Sequence, residues 1–346
     1  MNFVHGGDIY SLRERFAGEV LDFSANISPL GMPEAVSRAA REAVAGCVHY
    51  PDPACRELTR AIARREGVRP EEVLCGNGAA DLIFRAVLAA RSRRALLIAP
   101  CFAEYGAALA AVDCEIVYEP LREENGFALT EGFLEKLAAG VDMAFLCDPN
   151  NPTGKTVDPG LMAEILRLCE TRGILLVLDH CFADFVDSPP HRPHGPHVLA
   201  LKAFTKLYAL PGLRLGYGIC ANKALLEKMR RCGQPWGVSV PAQAAGLAAL
   251  AETEYVERAR AMIRRERAFL IAGLAERGMR VYGSEANFVF FRAVSERLKE
   301  DLMRQGVLIR SCGNYPGLDA HYYRVAVKAR GENEKLLAAL DRAGEG

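Results

Sequence analysis

Short apolar runs alternate with longer amphipathic stretches along most of the chain. The runs at 95–99, 115–118, 143–147, 174–178, 198–201 and 215–220 are four to six residues long. Most are nearly continuous in apolar character, as expected of strands covered on both faces. Between them lie stretches with helical spacing. One covers 159–171, with Gly173 just beyond as a stop signal. This alternation predicts an α/β protein with a mostly parallel sheet. Beyond residue 221 the pattern changes. A long helical region extends to about residue 277, broken near Gln234-Pro235-Trp236-Gly237, and 254–267 carries the charge density of a solvated helix face. Strand-like runs follow at 287–291, 307–310 and 323–327, which predicts a smaller α+β domain. The expected division is an arm and part of the small domain over 1–45, a large domain over 46–232, and a small C-terminal domain over 233–346.

Composition narrows the function classes. With 346 residues, half of them hydrophobic, the chain can bury more than one core. Its 43 basic and 43 acidic residues balance, and no polybasic block is present, so nucleic acid is not an expected partner. The apolar runs are too short to span a bilayer, so no membrane association is expected. The first residues lack the zones of a secretion signal, and the eleven cysteines are scattered singly, without a Cys-x-x-Cys pair. They read as small buried hydrophobes in a reducing, cytoplasmic setting, with no metal site. The stretch 187–197 is rich in Pro and His and reads as a solvated loop.

Four local features carry chemistry. Phe204-Thr205-Lys206 follows the run at 198–201, and Arg214 lies eight residues after Lys206. A lysine buried there has a lowered pKa and becomes a nucleophile toward carbonyls, while the arginine fork suits a phosphate. Cys147-Asp148-Pro149-Asn150-Asn151-Pro152-Thr153-Gly154 places side-chain amides at the carboxyl end of a strand, where α/β sheets bind ligands. Asp179 closes another apolar strand and needs a cationic partner or a helix to cap. Cys75-Gly76-Asn77-Gly78-Ala79-Ala80-Asp81 leads into a helix whose first N–H groups suit an anion. Each feature has an ordinary structural explanation alone. Together, in this order, they supply what pyridoxal 5'-phosphate needs: an aldehyde trap, a carboxylate for the pyridine nitrogen, a donor for the phenolic oxygen and a phosphate cradle.

The order and spacing resemble those of the fold type I pyridoxal-phosphate enzymes, the aspartate-aminotransferase-like group, over nearly the whole chain. The resemblance implies a seven-stranded type of mostly parallel sheet plus a smaller α+β domain. It implies that Lys206 is the Schiff-base lysine and Asp179 the partner of the ring nitrogen, the two catalytic residues. Asn151 would bond the phenolic oxygen, and Phe102 or Tyr105 would stack on the ring. Arg214, Thr205 and the amides of Gly78, Ala79 and Ala80 would hold the phosphate. Tyr50, in Tyr50-Pro51-Asp52-Pro53, would reach the neighbouring subunit's site, so a homodimer with shared active sites is implied. Arg324, in Tyr322-Tyr323-Arg324-Val325-Ala326-Val327, would grip the substrate α-carboxylate.

Longer segments narrow the resemblance to the threonine-phosphate decarboxylases of cobalamin biosynthesis. They are His5-Gly6-Gly7-Asp8-Ile9, Phe23-Ser24-Ala25-Asn26-Ile27-Ser28-Pro29-Leu30-Gly31-Met32-Pro33, Phe102-Ala103-Glu104-Tyr105, and the stretch from Leu308 to Asp319 containing Arg310. The resemblance implies a phosphoamino acid substrate, read by His5, Gly6, Asn26, Asn151, Arg310 and Arg324. The alternatives are a histidinol-phosphate-type aminotransferase, with the same residues and a different bond broken, and a non-catalytic binding protein on this fold. Two positions depart from the common aminotransferase pattern. Ala203 stands where Ser or Thr usually donates to the phosphate, a loss of ~1 kcal/mol. Phe182, in Asp179-His180-Cys181-Phe182, replaces the Tyr of many aminotransferases but is shared with the decarboxylases.

Overall fold

The structure is a computed structural model that describes residues 5–14, 16, 18–187 and 193–344. Its main sheet has seven strands, in the order Val73–Gly76, Gly216–Ile219, Val198–Ala203, Leu175–Asp179, Met143–Cys147, Arg94–Ala99 and Glu115–Pro120. Only Gly216–Ile219 runs against the others. Most of the apolar runs are central because helices cover both faces; the run at 115–118, expected to be buried, instead lies in the edge strand Glu115–Pro120 and is largely unburied. Leu176, Val177 and Leu178 are fully buried, and each such side chain contributes about 1.5–3 kcal/mol by leaving water. The helix Pro159–Arg172 is set by its ends. Asp158 Oδ1 accepts from the N–H groups of Gly160 and Leu161, and Gly173 at φ +68° closes it.

A second, antiparallel sheet has the order Arg310–Ser311, Tyr322–Ala326, Phe288–Arg292, Arg280–Val281. It has its own core, with Phe291, Tyr323 and Leu336 buried against the helices Thr253–Glu276 and Arg330–Gly344. The arm forms a separate two-stranded sheet, Leu21–Asp22 in parallel with Val307–Leu308, and touches the second sheet where Ala326 N–H donates to Phe23 O.

Several expected elements differ in detail. The apolar run at 307–310 divides into two short strands that pair in different directions, Val307–Leu308 with the arm and Arg310–Ser311 with Tyr322–Ala326. The long helical region is three helices, Lys223–Arg231, Val240–Ala251 and Thr253–Glu276, with a second break at Glu252. The edge strand Val73–Gly76 was not expected, because its brief apolar run merges into the glycine turn after it. In the stretch 187–197, residues 188–192 lie outside the described set; His194 Nε2 sits 3.5 Å from Glu72 Oε2. Among the described residues no cluster could hold a metal ion, and no helix is long and apolar enough to cross a membrane.

Candidate active site

A cavity of about 450 Å³ opens between the carboxyl ends of the parallel strands, the arm and the second sheet. Lys206 lies in a single helical turn, Phe204–Leu207, directly after the strand Val198–Ala203. Its side chain lines the cavity, with Nζ 5.9 Å from the centre of the Phe182 ring. Burial lowers the pKa of the Lys206 ammonium, and the guanidiniums of Arg324 and Arg214 add to the effect, against Asp179. The neutral, nucleophilic amine is thereby favoured.

Asp179 ends the neighbouring strand Leu175–Asp179, beside Cys147 and Leu201. Its Oδ2 accepts from Tyr105 Oη at 2.7 Å and its Oδ1 from Cys181 N–H at 2.9 Å. Tyr105 is fully enclosed and stacks on Phe145 at 5.0 Å. Burial, then the Asp179 charge, raises the Tyr105 phenol well above its ordinary pKa, so it remains a donor. Among the described residues no cation lies within ion-pair distance of Asp179. A buried carboxylate in that position calls for a positive group inside the cavity.

On the next wall the helix Gly78–Ala90 begins, and Ala79 and Ala80 line the cavity. Its first N–H groups have no partner within the helix and present a positive dipole end. Gly78 suits this turn by its backbone, and a side chain there would push the Arg214 guanidinium aside. Its φ is +82°, and a Cβ would stand 2.8 Å from Arg214 Nη2. Arg214 itself has φ +55°, a strained conformation for a non-glycine residue, and its Nη1 donates to Pro211 O at 3.2 Å. The strain aims a guanidinium at a helix N-terminus, which suits a phosphate.

The opposite wall is cationic. Arg324 is 5% exposed, donates from Nη1 to Asn151 Oδ1 and from Nη2 to Ser24 O at 2.8 Å, and lies 5.5 Å from the Phe288 ring centre. Its Nε has no hydrogen-bond partner among the described residues. Arg310, 9% exposed, donates from Nη2 to Asn314 Oδ1 at 2.8 Å and lies 5.2 Å from the Tyr315 ring centre. Asn26 is buried with its Oδ1 unpaired. At the mouth, His5 Nε2 meets Glu104 Oε1 at 2.7 Å and its ring lies 5.7 Å from Phe102. Gly6 packs against the arm so closely that a Cβ would stand 2.2 Å from Ser24 O.

The cavity therefore gathers His5, Gly6, Asn26, Ala79, Ala80, Phe102, Asn151, Asp179, Thr205, Lys206, Arg214, Arg310 and Arg324 from distant parts of the sequence. Three expected residues stand apart from its lining. Gly78 lies behind Arg214. Tyr105 lies beneath the cavity on Asp179, leaving Phe102 as the exposed face of that pair. Tyr50 is 78% exposed and stacks on Trp236 at 4.5 Å. Ser24, Glu104 and Tyr315 line the cavity without having been singled out from sequence. Their only signal was membership of the long decarboxylase-like segments.

Residues 18–342 match the family model "Aminotransferase class I and II". The chain is 40% identical to a threonine-phosphate decarboxylase from Salmonella typhimurium, over 98% of this chain and 96% of that protein. Its structure is similar to that of a histidinol-phosphate aminotransferase from Clostridium acetobutylicum, with a TM-score of 0.87 and 28% identity over 94% of this chain and 99% of the other. It is also similar to an L-threonine-O-3-phosphate decarboxylase from Porphyromonas gingivalis, with a TM-score of 0.81 and 25% identity over 94% and 100% of the two chains.

Proposed function

Because the chain belongs to the class I and II aminotransferase family, we propose that it removes CO2 from L-threonine O-3-phosphate to give (R)-1-amino-2-propanol O-2-phosphate, for assembly of the cobalamin nucleotide loop. The observation that carries this reading is the wall of two buried guanidiniums, Arg310 and Arg324, without carboxylate partners among the described residues. A substrate with both a carboxylate and a phosphate dianion supplies two anions to such a wall.

The cofactor is pyridoxal 5'-phosphate. When bound, it supplies an aldehyde for the substrate amine and a protonated ring that accepts the electron pair of the bond broken at Cα. The residues present fit it. Lys206 offers an amine whose pKa burial lowers, Asp179 a buried carboxylate without a cationic partner among the described residues for the ring nitrogen, and Phe102 a face for the ring. Arg214, Thr205 and the helix start at Gly78, Ala79 and Ala80 form the phosphate cradle. Tyr105 keeps Asp179 oriented through its 2.7 Å hydrogen bond. Asn151 serves both anion and ring, since its Oδ1 fixes Arg324 and its amide nitrogen remains for an oxygen of the ring.

On this reading Arg324 takes the α-carboxylate, while Arg310, Asn26, His5 and Gly6 surround the phosphate. The protein acts as a homodimer in the cytoplasm. In support, Tyr50 stands exposed outside its own chain's cavity, and the eleven cysteines are free. Mass analysis of the products formed from threonine phosphate and serine phosphate, with and without a keto acid, tests the reaction. Amino alcohol phosphate without added keto acid is the expected outcome. Keto acid-dependent loss of the amino group would assign a histidinol-phosphate-type aminotransferase instead. One methyl group separates the two substrates by only ~1–3 kcal/mol, so both are to be compared at low concentration.

A further inference from the structure

The strand that carries Arg324 is tied to the main sheet by a carboxylate outside the cavity. Glu123 opens the short turn Glu123–Asn125, which follows the edge strand Glu115–Pro120. Its Oε1 accepts from Tyr282 Oη at 2.6 Å and lies 2.9 Å from Arg280 Nη1, while its Oε2 accepts from Tyr322 Oη at 2.8 Å. Arg280 is largely exposed and adds little. The two tyrosines are buried, so their bonds to a charged acceptor are the strong ones. Phe127, two residues beyond that turn, meets Tyr282 and Phe290 edge-on at 4.9 and 5.2 Å. It holds φ +60° to do so, a conformation that a ring-bearing side chain rarely adopts. One turn of the main sheet's side thus inserts a charge and a ring into the aromatic face of the second sheet.

Tyr322 and Arg324 are two residues apart on the strand Tyr322–Ala326, so their side chains share one face about 7 Å apart. Phe290 and Arg310, on the two neighbouring strands, flank Arg324 on either side. Holding the Tyr322 hydroxyl therefore fixes the tilt and depth of the strand beside the guanidinium.

We infer that Glu123 is a positioning residue, which through Tyr322 sets how far Arg324 and Arg310 reach into the cavity and so the affinity for the anionic substrate. The inference rests on the reading of that wall as the substrate-anion site. It is tested on the full chain loaded with pyridoxal phosphate, comparing Glu123→Ala, Glu123→Gln, Tyr322→Phe and the Glu123→Ala/Tyr322→Phe pair. Glu123→Ala is expected to raise KM for L-threonine O-3-phosphate roughly tenfold, with kcat within about twofold, since misplacing a binding group by a fraction of an ångström has effects of this size. Glu123→Gln should recover part of the loss. Adding Tyr322→Phe to Glu123→Ala should change KM little, because both act through one bond. Amide hydrogen exchange should quicken at 310–311 and 322–326 and stay unchanged at 198–207. An unchanged KM in Glu123→Ala, fully additive effects, or faster exchange across both sheets alike would overturn the inference. If the wild-type chain turns over no phosphoamino acid, the functional reading has failed. The exchange pattern and the affinity for inorganic phosphate, both independent of turnover, then still decide the role of Glu123.

Discussion

Arg310 and Arg324 stand directly opposite each other on adjacent antiparallel strands, and neither has a carboxylate partner among the described residues. Directly opposed residues in such a pair have Cα atoms about 4.5–5.5 Å apart, and like charges there destabilise the sheet. The arrangement is tolerated because the guanidiniums reach Asn151, Ser24 O and Asn314 and face aromatic rings. On the proposed reading, anions entering the cavity would make it favourable.

Arg310→Met is therefore expected to weaken phosphoamino acid binding by about ten- to a hundredfold, the range of a lost charge-assisted hydrogen bond. Inorganic phosphate should raise the Tm of the wild-type protein more than that of the variant. Equal phosphate stabilisation of the two proteins would remove Arg310 from the anion site.

Asp179→Asn is expected to retain the cofactor while losing turnover by about a hundredfold or more, because a neutral amide cannot keep the ring nitrogen protonated. Tyr105→Phe removes one donor to the same carboxylate and should cost about fivefold, or ~1 kcal/mol. A near wild-type rate in Asp179→Asn would show that the carboxylate has another role.

Borohydride reduction of the loaded protein followed by peptide mapping should label Lys206 alone. Mixing a Lys206→Ala protein with a Tyr50→Phe protein should restore some activity, since one site of each heterodimer regains both residues. Proven heterodimers without recovered activity would refute shared sites.

The arm should read the substrate and not the cofactor. His5 meets Glu104, and Gly7 N–H donates to Ser24 Oγ at 2.7 Å, so the arm closes one side of the cavity. Deleting residues 1–8 is expected to raise KM about tenfold while cofactor retention is unchanged. Unaltered kinetics in the truncated protein would show that the arm makes no contact with the phosphate.

Asp148 gives the fold a pH signature. Burial, with Glu285 nearby, lifts its carboxyl to about 7, against the hydrogen bond it accepts from Val157 N–H. The folded state thus holds a proton that the unfolded chain releases near its ordinary value of 3.8. Stability from this group is complete below that value and declines as pH rises to about 7, by up to about 1.4 kcal/mol for each pH unit. Asp148→Asn keeps the acceptor without the proton. Denaturant titrations from pH 4 to 8 should show a flatter profile for the variant and greater stability than wild type at the upper end. Parallel profiles would mean that Asp148 is ionised throughout.

The sequence by itself determined six of the seven strands of the main sheet and the order of the candidate residues along them. A strand covered on both faces must be apolar throughout, so 143–147, 174–178 and 198–201 were legible as runs, and they lie within a residue or two of Met143–Cys147, Leu175–Asp179 and Val198–Ala203. Lys206, Asp179 and Asn151 follow those strands at short range, so fixing the strand ends fixes their place in the cleft. Tertiary structure decided the wall formed by Arg310 and Arg324. Arg324 meets Asn151 and Ser24 across separations of 173 and 300 residues, and no local period encodes such a meeting. The same holds for the split of 307–310 between two sheets, which depends on which partner strand lies on each side. Sequence also left Phe102 and Tyr105 as equals, because spacing shows that both adjoin the site but not which ring is enclosed. Burial separates them: Tyr105 goes beneath the cavity, where Asp179 accepts a hydrogen bond from its hydroxyl.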